Sequence, residues 1–361
     1  MTAPLHHLVV GPPRHGVTRY AELLLAAHPV PAGRVVRVPH RLGPDDLPDL
    51  LGRLPVGAPV HTHVTDHLFG GSPEQALAAL RALAAGRALS VTLHDVPQAS
   101  DGAPWARRRA CYAGIAAVAS RVVVSSEHER RLLVRLLAEA SPHGGRRPEV
   151  SVVPLAAPDA DMAEPDPVAE PDPVAEPEPT GPDRSGPAPA SREVAVLGFV
   201  YPGKGHAEVL EALSALPGDV GLRVLGGASP GHDDVVRRLH ERGAAMGRRV
   251  VVDGWVDDAR LPGLLRRVTV PVFAPRHVSA SASLVQWGAA GRRPVVTRNR
   301  YTEEVAARAP GALLLVDDTA EALAAGLLAA LTDPASTRCV PGRAGHEPAA
   351  AAAATFGEVA A

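Results

Sequence analysis

The segment Gly198-Phe199-Val200-Tyr201-Pro202-Gly203-Lys204-Gly205 has the residue types of a phosphate cradle, set between an apolar run and a helical pattern. Glycines let the backbone approach a ligand, a helix start offers unpaired N–H groups and the positive end of its dipole, and a lysine adds a full charge. Lys204 is the single lysine among 37 basic residues. A GC-rich coding bias explains why arginine replaces lysine elsewhere, but not where the one lysine stands. A compact ammonium serves as a point charge where a planar guanidinium does not fit. Two other readings compete for this segment. One is a turn with an exposed lysine. The other is a P-loop, for which Gly198 and Gly203-Lys204 are correctly spaced. Gly205 stands where Ser or Thr would hold Mg²⁺, and Pro202 removes an N–H, which argues against an NTPase.

Further candidates follow apolar runs in the same way. His277-Val278-Ser279-Ala280-Ser281-Ala282-Ser283 reads as a helix start presenting hydroxyls and N–H groups to a phosphate or sugar, with a plain N-cap as the alternative. Gly11-Pro12-Pro13-Arg14-His15-Gly16 lies between the first strand and the first helix, so Arg14 and His15 are placed to meet a ligand. His94 ends a strand beside Asp95, whose carboxylate is suited to orient the imidazole or share a sugar hydroxyl. Thr65-Asp66-His67 also ends a strand, and Asp66 is a weaker candidate of the same kind. His61, His63 and His67 alternate along and beyond a strand without a fixed carboxylate partner, so no metal site is expected.

The elements that must position these residues alternate. Apolar runs at 6–10, 35–38, 60–64, 89–93, 122–124 and 150–153 are separated by helical patterns such as 74–85, 106–119 and 127–140. The alternation restarts with runs at 194–199, 222–225, 250–252, 268–273, 295–297 and 313–316 and helical patterns at 206–216, 233–246, 258–267 and 319–331. Short apolar strands alternating with helices specify parallel sheets covered on both faces. The expectation is therefore an α/β protein with two doubly wound, Rossmann-like domains facing across a cleft. Residues 1–155 form the first and 193–335 the second, with a C-terminal tail at 336–361. Between them, residues 156–192 contain Glu-Pro-Asp-Pro-Val-Ala twice in succession, and proline at this density forbids helix, so the segment reads as a low-complexity linker.

Composition narrows the function classes. The 361 residues, 46% of them hydrophobic, suffice for two cores. Lys+Arg 37 against Asp+Glu 39 lacks the basic footprint of a nucleic-acid binder. Cys111 and Cys339 stand far apart, so neither a disulfide framework nor a zinc site is suggested and a cytoplasmic location fits. There is no signal-like start and no apolar run long enough for a transmembrane segment; peripheral membrane contact is left open.

In their order, these motifs resemble the GT-B glycosyltransferases, specifically the family 4-like retaining enzymes. The resemblance rests on residues 198–205, on Asp253-Gly254-Trp255-Val256-Asp257-Asp258, and on Ala274-Pro275 through Pro294-Val295-Val296. In the first half it adds Leu93-His94-Asp95, Val123-Val124-Ser125-Ser126-Glu127 and Val152-Val153-Pro154-Leu155. It implies a hexosyltransferase that takes a nucleotide-diphosphate sugar as donor, uses no obligatory cofactor or metal, and delivers to a small-molecule or glycan acceptor. Lys204 falls on the family's diphosphate-binding lysine and, with His94, is the implied catalytic residue. The implied donor-binding residues are Gly11, Arg14, Gly16, Gly198, Gly203, Trp255, Val256, His277, Ser279, Ser281 and Ser283. His15, Asp66 and Asp95 are implied on the acceptor side. The chain departs from the family at three positions: Phe199 replaces an arginine, and Ser279 and Trp287 replace the paired glutamates. A second expectation is therefore a degenerate member that binds a nucleotide or a partner enzyme without transferring sugar.

Overall fold

The computed structural model describes residues 3–98, 102–140, 148–157, 192–342 and 344–357. The linker expected over 156–192 lies, apart from its ends, outside the described residues.

The first half alternates β1 (His6–Val10), α1 (Gly16–Ala27), β2 (Val35–Val38), α2 (Leu47–Arg53), β3 (Val60–Val64), α3 (Pro73–Ala84), β4 (Leu89–Leu93), α4 (Trp105–Val118), β5 (Arg121–Val124), α5 (Glu127–Ala140) and β6 (Glu149–Val152). Its six strands pair in parallel in the order β2-β1-β3-β4-β5-β6. The second half runs β7 (Glu193–Leu197), α6 (His206–Ala212), β8 (Gly221–Leu225), α7 (Asp233–Ala245), β9 (Val250–Val252), α8 (Leu261–Arg267), β10 (Val270–Phe273), α9 (Ala282–Ala289), β11 (Val295–Thr297), α10 (Arg300–Arg308), β12 (Leu314–Val316) and α11 (Ala320–Thr332). These strands are also parallel, in the order β12-β11-β10-β7-β8-β9. This is the expected pair of doubly wound α/β domains.

Each sheet reverses its winding once, between β1 and β3 in the first and between β7 and β10 in the second. Loops leaving strands on either side of such a point diverge and open a crevice at the carboxyl ends of the strands. The loops after β1, β3, β7 and β10 carry Gly11 to Gly16, Asp66, Lys204 and Ser279 to Ser283, so the topology gathers the candidate residues at these two crevices.

Valine-rich β5 and β7 are buried on both faces, as parallel strands require. Strand β3, Val-His-Thr-His-Val, is equally buried although three of its five residues are polar. Most of its polar groups are satisfied internally: His61 lies 3.0 Å from Ser90 Oγ through Nδ1 and 3.1 Å from Thr92 Oγ1 through Nε2, and Thr62 donates to the Leu8 carbonyl at 2.8 Å, while buried His63 Nε2 has no hydrogen-bond partner among the described residues. Two helices escape the sequence patterns. Helix α10 is short and mostly polar, and its start is fixed by a capping box in which Asn299 Oδ1 accepts from Thr302 N at 3.0 Å while Thr302 Oγ1 accepts from Asn299 N at 2.8 Å.

The other is α12 (Pro348–Phe356), an alanine run with high helix propensity but no apolar stripe, in the segment expected only as a tail. The chain returns from the second domain to the first just before it, where His346 N donates to the Leu155 carbonyl and the His346 carbonyl accepts from Ala157 N, both at 2.9 Å. Helix α12 then packs on α1, with Phe356 against the His7 and His61 rings at 4.4 Å and 5.3 Å. Buried Arg121 donates to the Ala354 and Thr355 carbonyls at 2.8 Å and closes its C-terminal end. Among the described residues no helix is long and apolar enough to cross a membrane.

Candidate functional site

The loop between β7 and α6 turns through Gly198, Gly203 and Gly205, all at positive φ. Gly205, at φ +100°, tolerates no side chain, because a Cβ there would lie 2.2 Å from the Ala274 carbonyl oxygen of the β10 loop. That close approach sets the two loops of the second crevice against each other. Across it, Lys204 Nζ donates to Ser283 Oγ at 3.1 Å and sits 5.4 Å from the Phe273 ring centroid. Ser283 Oγ in turn lies 2.9 Å from Ser281 Oγ. Among the described residues no carboxylate pairs with Lys204. Burial alone lowers its ammonium to about 8, the direction expected of a cation without an anion beside it. His206, two residues on, is buried with neither ring nitrogen hydrogen-bonded among the described residues, and burial followed by the Lys204 charge depresses it to about 3.

The serines divide their work. Ser281 is the N-cap of α9, its Oγ accepting from Leu284 N at 3.3 Å, so the plain capping role holds for this residue. Ser283 holds Lys204. Ser279 points away from both and donates to Glu129 Oε1 of the first domain at 3.0 Å. His277 is exposed and makes no hydrogen bond among the described residues. Trp287 does not line the crevice: it is fully buried in an apolar cluster with Leu197, Leu225, Leu261 and Leu265. Val256 packs against that same cluster.

Trp255 is different, being 37% exposed, with the Phe199 ring 6.5 Å away and the Arg14 and Arg19 guanidinium carbons 5.3 Å and 5.6 Å from its ring centroid. Arg19 also pairs with Asp258. Residues from α1 and the loop before it therefore reach the β9–α8 loop of the other domain, giving a flat aromatic face flanked by two cations. Phe199 and Tyr201 add two more exposed rings after β7.

On the first domain, Gly11 takes φ +115°, with Thr18 and Leu68 too close for a Cβ, whereas Gly16 merely begins α1 in open space. His15 caps α1, Nδ1 accepting from Val17 N at 3.3 Å. His94 Nε2 lies 3.1 Å from His63 Nδ1, and burial, then the charge of His15, lowers it to about 4, so both rings are neutral near pH 7. Asp95 does not orient His94. It pairs with Arg108 at 2.8 Å, at the sole positive φ of a non-glycine residue among those described, +57°. Asp66 is buried, and it too binds Arg108, at 3.2 Å. Its carboxylate is thereby committed to holding a guanidinium. Tyr112 donates to the His94 carbonyl at 2.9 Å and fixes the same turn.

Sequence reasoning missed the residues that join the domains. Ser126 Oγ accepts from Glu129 N at 2.9 Å and donates to the Ser279 carbonyl at 2.6 Å, while Glu129 Oε2 accepts from Ser125 N at 2.8 Å. The Glu304 carboxylate of α10 accepts from Glu127 N and His128 N at 2.9 Å and 3.0 Å, completing the first turn of α5 from the opposite domain. The signal present in sequence was the Ser126-x-x-Glu129 capping box, which announces a helix start and says nothing about a partner domain.

No protein-family model and no curated protein sequence matches the chain. Solved structures do. Sucrose-phosphate synthase from Thermosynechococcus elongatus aligns with TM-score 0.65 and 17% identity over 99% of this chain and 96% of that one. Anabaena HepE in complex with UDP and glucose aligns with TM-score 0.64 and 15% identity over 98% and 95%. The α,α-trehalose-phosphate synthase (UDP-forming) from Burkholderia xenovorans, in complex with glucose-6-phosphate, gives TM-score 0.59 and 14% identity over 87% and 72%. At these identities the likeness carries the fold: two Rossmann-like domains in the GT-B arrangement.

Proposed function

We propose that the protein transfers a hexose from a nucleoside diphosphate sugar to a small-molecule or glycan acceptor with the anomeric configuration retained. The observation that carries this reading is Lys204, a half-buried ammonium at the switch point of the second sheet, without a carboxylate partner among the described residues and held by Ser283. A desolvated cation of this kind is stabilised by an anionic ligand. In this reading the diphosphate occupies the crevice between residues 198–205 and 277–283. Lys204, the Ser283 hydroxyl and the adjacent loop amides stabilise the negative charge that grows on it as the sugar departs. The Trp255 face, with Arg14 beside it, suits a nucleobase. Neutral His94 and the loop of His15 lie on the acceptor side, where an imidazole serves as a hydrogen-bond partner for hydroxyls. The reaction so described needs no metal, and the HepE complex with UDP and glucose supports a nucleotide-sugar donor by likeness of fold.

A second reading, nucleotide binding without transfer, is favoured by one feature: Ser279 is engaged by Glu129 and Trp287 is in the core, so neither position supplies a donor-binding carboxylate. Calorimetric titration with UDP, GDP, ADP and their sugars tests the shared premise. Binding that Lys204→Ala abolishes supports it; no binding by the wild type, or binding indifferent to Lys204→Ala, refutes it. Release or transfer of sugar from the bound donor then separates the two readings. Mg²⁺-dependent turnover of ATP or GTP would instead favour the P-loop reading.

A further inference from the structure

Glu129 is a buried carboxyl at the domain junction. It is completely buried, and among the described residues no lysine, arginine or histidine pairs with it. Burial pushes its carboxyl up to about 7 despite hydrogen bonds from the Ser125 main chain and the Ser279 hydroxyl. Helix capping alone does not require this, because a glutamine in the same box performs it without a buried charge.

What distinguishes Glu129 is the residue it reaches. Ser279 is gripped from both sides by the first domain, its hydroxyl by Glu129 at 3.0 Å and its carbonyl by Ser126 at 2.6 Å. Two residues on, Ser281 N donates to Tyr301 Oη at 3.1 Å; two further, Ser283 accepts from Lys204. The loop is thus anchored at alternate residues, and among the described residues its hydrogen bonds to the first domain are those at Ser279, beside an apolar contact of Ala280 with the cluster around Leu155. We propose that Glu129 is a positioning residue for the anion site of the opposite domain: by holding Ser279 it fixes the 279–283 loop so that Ser283 meets Lys204, and the site is complete only while the domains are docked. The role deepens the nucleotide-sugar reading, on which its consequence for ligand binding rests.

Lys204 is the only lysine, so protein labelled with ¹³Cε,¹⁵Nζ-lysine gives one side-chain signal that reports this position without any ligand. If Glu129 acts through the loop, Glu129→Gln and Ser279→Ala each release Ser283 and admit water to the ammonium. The Lys204 midpoint then rises by about half a unit or more toward its ordinary value. The double variant shifts no further than the larger single change, because the two residues act as one contact. Simple loss of a nearby negative charge would move the midpoint the other way, down. UDP affinity, followed on the same signal and by calorimetry, weakens by about tenfold in each variant. Ser279→Ala removes one hydroxyl oxygen and keeps the fold, so the proposal is testable even if Glu129→Gln is unstable. An unchanged or lowered Lys204 midpoint in the variants, or shifts that add in the double variant, overturns the positioning role. UDP that leaves the wild-type Lys204 signal unmoved overturns the nucleotide reading instead, and the ligand-free titration still judges Glu129.

Discussion

Acidification from pH 7.5 to 5.5 should destabilise this protein by an amount fixed by its buried histidines. His7, His61 and His63 lie in the layer beneath α12, and His206 lies beside Lys204; all four are nearly inaccessible to solvent. Desolvation is the leading cause in each, and in His94 as well, lowering His7 and His94 to about 4, His206 to about 3, and His61 and His63 well below 6.5. These groups stay neutral in the folded protein across this window, while the unfolded chain takes up a proton at each as pH falls through the ordinary value. Stability is therefore full above about pH 6.5 and falls below it, by about 1.4 kcal/mol per histidine per pH unit, or about 7 kcal/mol for these five at pH 5.5. Glu129 opposes the trend. Its folded value is raised, so the folded state binds the extra proton as pH falls through 7, returning about 2 kcal/mol over the same window. Carboxylates held low by arginine, such as Glu74 beside Arg107, titrate below the window, and Lys204 is protonated in both states throughout it. The net loss is about 5 kcal/mol, a large part of the 5–15 kcal/mol typical of a folded protein. Urea unfolding at half-unit pH steps measures it. His206→Leu removes a ring with no hydrogen bond to lose, and should flatten the slope by about one histidine's share, about 1.4 kcal/mol per pH unit. A stability that is flat or rising between pH 6.5 and 5.5, or a slope unaffected by His206→Leu, would refute the reasoning.

Lys204→Arg should weaken UDP binding nearly as much as Lys204→Ala, by about 2 kcal/mol, because the side chain passes within 3.4 Å of where a Gly198 Cβ would lie and a guanidinium is wider; calorimetry checks this. Gly205→Ala meets both a positive φ of +100° and the Ala274 carbonyl, so thermal unfolding should show a loss of about 2 kcal/mol or more, along with weakened UDP binding as the two loops part. Arg121→Ala leaves the Ala354 and Thr355 carbonyls without their buried donor, costing about 2–3 kcal/mol; hydrogen exchange should show α12 amides opening more readily while those of α7 are unchanged.

Much of the fold was legible because parallel α/β architecture writes itself locally. Valine runs of strand length between helical periods specify buried strands with covering helices, and both sheets follow them. Of the missed helices, α10 is nine residues long and mostly polar, with its start fixed by its cap, and α12 is mostly alanine, so its buried face exists only where α1 and the histidine layer meet it. The loop of Lys204 stood out in sequence by its glycines and its single lysine, local features that the turn between β7 and α6 keeps together. The partner of Asp66 and Asp95 was not legible, since two carboxylates at strand ends look alike in sequence whether or not they share an arginine, as these share Arg108.

The sequence by itself determined which strand-to-helix loops hold the glycines and the lone lysine, because these are local properties. Only the tertiary structure decided what each residue in those loops does. Three serines at alternate positions, 279, 281 and 283, are the same residue type at the same spacing, yet one binds a carboxylate of the other domain, one caps a helix and one holds the ammonium. Hydrogen-bond partners separated by 150 residues, such as Ser279 and Glu129, leave no periodic trace in the chain. Their pairing comes from how two sheets dock, and the crevice is defined where they do.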